Sequence, residues 1–170
     1  NVSINPGQET SDIGPSNIKV VCNDNNGYAI YAIGYSGDSY SNETHTKLIG
    51  QNTNNNISTN TSGDNSYWAM KVNSVAGDYA PTIENDYSNY NIIPDTYTKV
   101  AKYTSNTDAG VSATGSNLNA YYKVKASISE LADTYTGKVK YTLVHPNTAN
   151  APVPEEETAT TCNTPVPNLT

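Results

Sequence analysis

Residues Tyr121–Val144 read YYKVKASISELADTYTGKVKYTLV. Two runs of apolar–polar alternation flank a short polar break, which is the pattern of two half-buried strands joined by a turn. Successive side chains of a strand point to opposite faces. Tyr122, Val124, Ala126 and Ile128 therefore share one face of the first run, and Tyr135, Gly137, Val139, Tyr141 and Leu143 share one face of the second. These are the predicted core faces. The opposite faces carry Tyr121, Lys123, Lys125 and Ser127, then Thr134, Thr136, Lys138, Lys140 and Thr142. Read as a hairpin, the stretch sets four of the chain's 9 basic residues on one surface.

The composition outside this stretch points the same way. Of 170 residues none is Phe, one is Met and one is Trp, whereas Tyr occurs 14 times. A core must then be built from Tyr, Val, Ile and Ala, which favour a pleated, half-buried surface, and the Asn, Gly and Asp between them favour turns. The length allows one sizeable core. The predicted fold is an all-β, antiparallel β-sandwich, immunoglobulin-like or jelly-roll-like, with long polar loops and an extended C-terminal tail. Residues 1–16 read as an N-terminal strand and connector, 17–145 as the sandwich, and 146–170 as the tail.

Upstream of the hairpin the strand signals are shorter. Asn1–Asn5 alternates Val2 and Ile4 with polar residues before Pro6-Gly7, so it reads as an edge strand, or as a strand lent to another copy. Gln8–Ser16 reads as a connector. Asn17–Asn23 is the next strand, closed by Asp24-Asn25-Asn26-Gly27, whose Asn-Gly pair favours positive φ in a hairpin turn. Tyr28–Tyr35 is apolar on both faces, as a central strand covered on each side would be. Residues 37–65 are rich in Ser, Asn, Thr and Gly and carry at most one short strand, around Lys47–Gly50. Tyr67–Val72 and Tyr97–Tyr103 are further strands, separated by a polar, Tyr-studded insert over 73–91.

Charge and residue type narrow the function. The net charge is -7 and Arg is absent, which removes the side chain best suited to bidentate phosphate contacts. Nucleic acid is therefore not an expected partner. No apolar run is long enough to span a membrane, and no charged-then-apolar leader opens the chain, so a mature or trimmed product is expected. His45 and His145 are the two histidines, one in a polar loop and one beside Pro146, which leaves a nucleophile–base arrangement almost no candidates. The expectation is no enzyme, no cofactor and no metal site. Cys22 and Cys162 are far apart and lack metal-ligand spacing. A disulfide between them is the leading reading, with free thiols or a bridge between copies as alternatives.

The tail combines Pro152, Pro154, Pro165 and Pro167 with the acidic block Glu155, Glu156 and Glu157, a linker composition. Lys123, Lys125, Lys138 and Lys140 on one hairpin face would repel one another. That face is either a solvated defence against edge aggregation or the surface on which Glu155–Glu157 of the same copy or the next one docks. Val2 and Ile4, these four lysines and the three glutamates are the candidate assembly residues. Tyr87 and Tyr90 are the candidate ligand platform.

Several pieces occur in an order that resembles a known group: Asn25-Asn26-Gly27-Tyr28, Tyr67-Trp68-Ala69-Met70-Lys71-Val72, Ile93-Pro94 followed by Val100-Ala101-Lys102-Tyr103-Thr104, and Asp133 through Thr142. Over residues 17–145 the chain resembles the secreted surface-protein β-sandwiches of Gram-positive-type bacteria and of the Saccharibacteria. It departs from them at Ala132-Asp133, where a Pro-Ala-Gly-like turn is usual. The resemblance implies an extracellular, cell-surface protein that polymerises with copies of itself by lending a strand. The alternative is a monomeric adhesin or carbohydrate-binding module facing a host or neighbouring cell. Fold is carried by such motifs better than function is.

Overall fold

A computed structural model describes residues 4–21, 26–35, 46–53, 55–63, 65–76, 80–104 and 116–144. All regular structure among them is strand: β1 (Ile13–Val20), β2 (Tyr28–Tyr35), β3 (Leu48–Gly50), β4 (Asn56–Ile57), β5 (Tyr67–Ser74), β6 (Thr82–Ile83), β7 (Thr98–Tyr103), β8 (Ser116–Lys125), β9 (Tyr135–Thr136) and β10 (Lys138–Val144). Strand pairing within the sheets is antiparallel. A front sheet has the order β1-β8-β5, a back sheet β10-β2-β7-β6, and a small end sheet β4-β3-β9.

The front and back sheets share one core. Trp68, Met70 and Val72 of β5 and Leu118 of β8 meet Tyr28, Ile30 and Ala32 of β2 and Val100 of β7, with Val139, Tyr141 and Leu143 of β10 packed against them. The Tyr122 and Tyr141 hydroxyls, one from each sheet, hydrogen-bond at 2.8 Å. β2 lies between β10 and β7 and is buried on both faces, as its double-sided apolar run predicts. Its other face places Ala29, Tyr31 and Ile33 in a second cluster with Tyr97 and Val144.

The expected hairpin over Tyr121–Val144 does not form. β8 belongs to the front sheet and β10 to the back sheet, so the two alternating runs face each other across the core instead of pairing side by side. Alternation fixes which face of a strand is buried but not what it is buried against, and two apolar faces are covered equally well by opposing one another. The core face of the first run ends at Ala126, because Ile128 is 87% exposed. Consecutive strands β1 and β2 also belong to different sheets, so the Asn-Gly pair ahead of β2 does not close a hairpin. Gly27 has φ 91, and a Cβ there would lie 2.1 Å from the Tyr103 carbonyl oxygen, so glycine is required by both torsion and space.

The N-terminal region differs from its reading too. β1 begins at Ile13, within the predicted connector, and the chain before it continues along the same neighbour. The Gly7 and Thr10 N–H groups donate to Ala126 and Val124 carbonyls at 2.8 Å, and Ala126 N–H donates back to Gln8 at 3.1 Å. The register slips between Ile13 and Ser16, at Gly14 with φ 133. Residues 4–12 are thus an arm docked on the chain's own β8, and Ile4 and Asn5 are not in a strand.

Candidate binding surface

The outer face of the front sheet carries both ion pairs found among the described residues. From β5 and β8 project Tyr67, Lys71, Tyr121, Lys123 and Lys125, with Ala69 opposite Lys123 and Lys71 opposite Tyr121. Two neighbouring segments fold onto them. One is the arm with Glu9 and Asp12. The other is the stretch from Tyr87 to Asn91, which pairs along the free side of β5 through Val72 N–H to Tyr87 O at 2.7 Å and Met70 N–H to Asn91 O at 3.0 Å. That stretch is delivered by a tight turn in which Asn85 (φ 53) and Asp86 (φ 60) are both left-handed, a conformation that Asn and Asp tolerate best among residues with a side chain.

Tyr90 is the centre of the ionic part. Its ring has the Lys71 and Lys123 ammonium groups each 4.7 Å from its centroid. Its hydroxyl donates to Asp12 Oδ1 at 2.7 Å. Lys71 pairs with Asp12 at 2.6 Å and Lys123 with Glu9 at 2.7 Å, while the Tyr67 hydroxyl donates to Glu9. Lys123 and then Tyr67 hold the Glu9 carboxyl below its ordinary value; Lys71 and then Tyr90 do the same for Asp12. Burial, followed by the bond to Glu9, pushes Tyr67 up to about 12, and burial followed by Asp12 pushes Tyr90 up as well. Both phenols therefore remain donors to ionised carboxylates at neutral pH.

The predicted assembly lysines are not brought together. Lys123 is occupied by Glu9 and Tyr90, and Lys125 donates to the Gly63 carbonyl. Lys138 and Lys140 lie on β10, opposite Tyr35 and Ile33 of β2, on the outer face of the back sheet. The expected four-lysine surface is corrected on this ground: the two pairs face away from each other across the sandwich. Ile4 is half-buried in the arm. Val2, Cys22, His45, His145, Cys162 and Glu155–Glu157 lie outside the described residues. Tyr87 is 3% exposed, with its hydroxyl donating to the Ile92 carbonyl at 3.0 Å, so it belongs to the core and offers no platform. Tyr90 is half-buried in its ionic cradle.

Sequence reasoning missed Glu9, Asp12, Tyr67, Lys71 and Tyr121. Only the cross-strand register joins them, and no local pattern records it. Among the described residues no three His, Cys, Asp or Glu side chains converge as metal ligands, and no helix is long and apolar enough to cross a membrane. An open cleft of about 360 Å³ lies at the β6–β7 ribbon, lined by Ala80, Thr82, Glu84, Lys102, Tyr103 and Thr104. Comparison with family models, with curated proteins and with solved structures found no match.

Proposed function

We propose that this chain is a structural subunit of an extracellular surface filament or coat, assembling with copies of itself by strand addition and acting through contact without catalysis. The observation that carries this reading is the edge of the back sheet. β10 keeps an unbroken seven-residue register with β2 from Lys138↔Tyr35 to Val144↔Ala29, and no described strand pairs its other side. The outward backbone N–H and C=O groups of an edge strand are a template for a further strand. The Arg-free, Tyr-, Asn- and Thr-rich composition supports a place outside the cell. Because the N-terminal arm is paired with its own β8, the donor is expected among residues 145–170.

Sedimentation and electron microscopy of the purified chain at increasing concentration test this. Polymers that lengthen with concentration are expected, and a chain ending at Val144 should keep the fold and lose them. Single particles at every concentration would overturn the reading, and polymers that survive removal of residues 145–170 would overturn the donor. A second reading, a monomeric adhesin or carbohydrate-binding module, is favoured by a different observation: part of the front sheet's outer face is polar, and its asparagine side chains make no hydrogen bond among the described residues.

A further inference from the structure

We infer that this part of the front sheet is a binding site for a neutral polysaccharide, built on four asparagine amides, three in one row and one in the next, bordered by Tyr121. The inference rests on the adhesive reading just given. The strand register sets Asn17 of β1, Asn119 of β8 and Asn73 of β5 side by side, and the next row pairs Lys19 with Asn117. Leu118 and Ala120, between and beside these asparagines in β8, are fully buried on the core side, so alternation turns Asn117 and Asn119 outward. Asn17, Asn73 and Asn117 are exposed and Asn119 is half-buried.

Neighbouring strands hold the amides of one row about 4.8 Å apart, and alternate residues along a strand stand about 7 Å apart. The result is a small lattice in which each amide offers two donors and an acceptor. None of the four makes a side-chain hydrogen bond within the described fold. The contrast with the other half of the same face is direct, because there Glu9, Asp12, Lys71 and Lys123 are paired with one another.

Charge and hydrogen-bonding type select the occupant. The chain carries 16 acidic residues, yet the two rows hold no carboxylate, and Lys19 is their one charge. An anionic ligand would call for a cluster of cations, and a protein partner for buried aromatic or aliphatic anchors. Sugar hydroxyls are both donors and acceptors and match amides that are both. Tyr121 closes the end of the lattice, with its ring between Gly14, where an added Cβ would stand 3.4 Å from Tyr121 Cδ1, and the Lys71 ammonium, 5.2 Å from its centroid. A fixed ring in that place offers apolar surface to the C–H face of a sugar. A row of amides that crosses three strands fits an extended chain better than a single sugar.

Titration of the full chain with cellohexaose and with chitohexaose, followed by nuclear magnetic resonance, tests the site. Saturable shifts are expected at the side-chain amides of Asn17, Asn73, Asn117 and Asn119. The N73A/N119A variant should bind at least tenfold more weakly with unchanged melting, and Tyr121→Ala should weaken binding similarly. No saturable binding of either oligosaccharide by the unaltered chain would overturn both the site and the adhesive reading. Saturable binding that N73A/N119A leaves unchanged would overturn the site alone.

Discussion

Asp133 shows how one residue can hold an end of the sandwich together. Its carboxylate accepts from the Thr53 N–H at 2.8 Å and hydroxyl at 2.8 Å, from the Asn52 N–H and side-chain amide at 2.9 Å each, and from the Thr134 N–H at 2.7 Å. Desolvation works to raise its pKa, but the N–H groups of Thr53 and Asn52, the Thr53 hydroxyl and the Thr134 N–H prevail and hold it well below the ordinary 3.8. A group whose folded pKa is depressed contributes stability that is present above the unfolded value and is lost as pH falls toward the folded one. Melting temperature should therefore decline below about pH 4 in the native chain. Asp133→Asn should melt a few degrees lower at pH 7 and lose that part of the acid dependence; an unchanged acid limb in the variant would contradict the assignment. Ser116 is a second such residue. Its buried hydroxyl sits 2.5 Å from the Tyr28 hydroxyl, and Ser116→Ala should cost about 1–3 kcal/mol in denaturant unfolding because Tyr28 is left without its partner in the core.

At the scale of elements, the junction between β9 and β10 is a tight joint. A Cβ on Gly137 would stand 2.6 Å from Leu48 Cδ2 and 3.1 Å from the Trp68 ring, so this glycine lets the end sheet close over the core. Gly137→Ala should destabilise by about 1–3 kcal/mol through overpacking and shift Trp68 fluorescence; a neutral substitution would show that the joint is slack. The arm is expected to matter less. Its ion pairs at Glu9 and Asp12 are partly solvated, and such pairs contribute roughly 0–1 kcal/mol each. E9Q/D12N should therefore lower stability slightly at pH 7, and the difference from the native chain should vanish as pH falls and both carboxylates protonate. Strand identity and burial were legible in the sequence wherever the pattern was clean: β5, β8 and β10 bury the faces that their alternation marks, and β2 is buried on both faces, as its apolar run predicts. What pairs with what was not legible. YYKVKASI and TYTGKVKYTLV obey the same period whether they neighbour or oppose each other, and the arm lacks an apolar stripe because backbone bonds and polar side chains hold it. For the same reason the four lysines of Tyr121–Val144, adjacent on paper, ended on opposite outer faces, and Tyr90 found its partners in Lys71 and Asp12, far from it in the chain.

For the whole molecule, the path of the chain has a kinetic consequence. The long strands β1, β2, β5, β7, β8 and β10 alternate between the front and back sheets in chain order, so no two consecutive long strands pair with one another. Each main pairing, β1 with β8, β5 with β8, β10 with β2, and β2 with β7, joins segments distant in sequence. Loop-closure entropy must be met before such contacts form, and folds dominated by non-local pairing refold in milliseconds to seconds. Refolding from denaturant should fall in that slow range. It should also be cooperative, because removing either sheet exposes the inner face of the other. Trp68, the single tryptophan, reports on the joint between β5 and the end sheet, where its indole N–H donates to the Thr46 carbonyl at 2.6 Å, and far-ultraviolet circular dichroism reports on all strands. The two unfolding curves should coincide. A chain truncated after Ala126 lacks β9 and β10, leaves β2 an open edge and strips the core of Val139, Tyr141 and Leu143, so it should not fold. A Tyr121–Val144 hairpin would give a different result: β8 and β10 would unfold as a local unit, the two probes would separate, and the truncated chain would retain a cooperative transition.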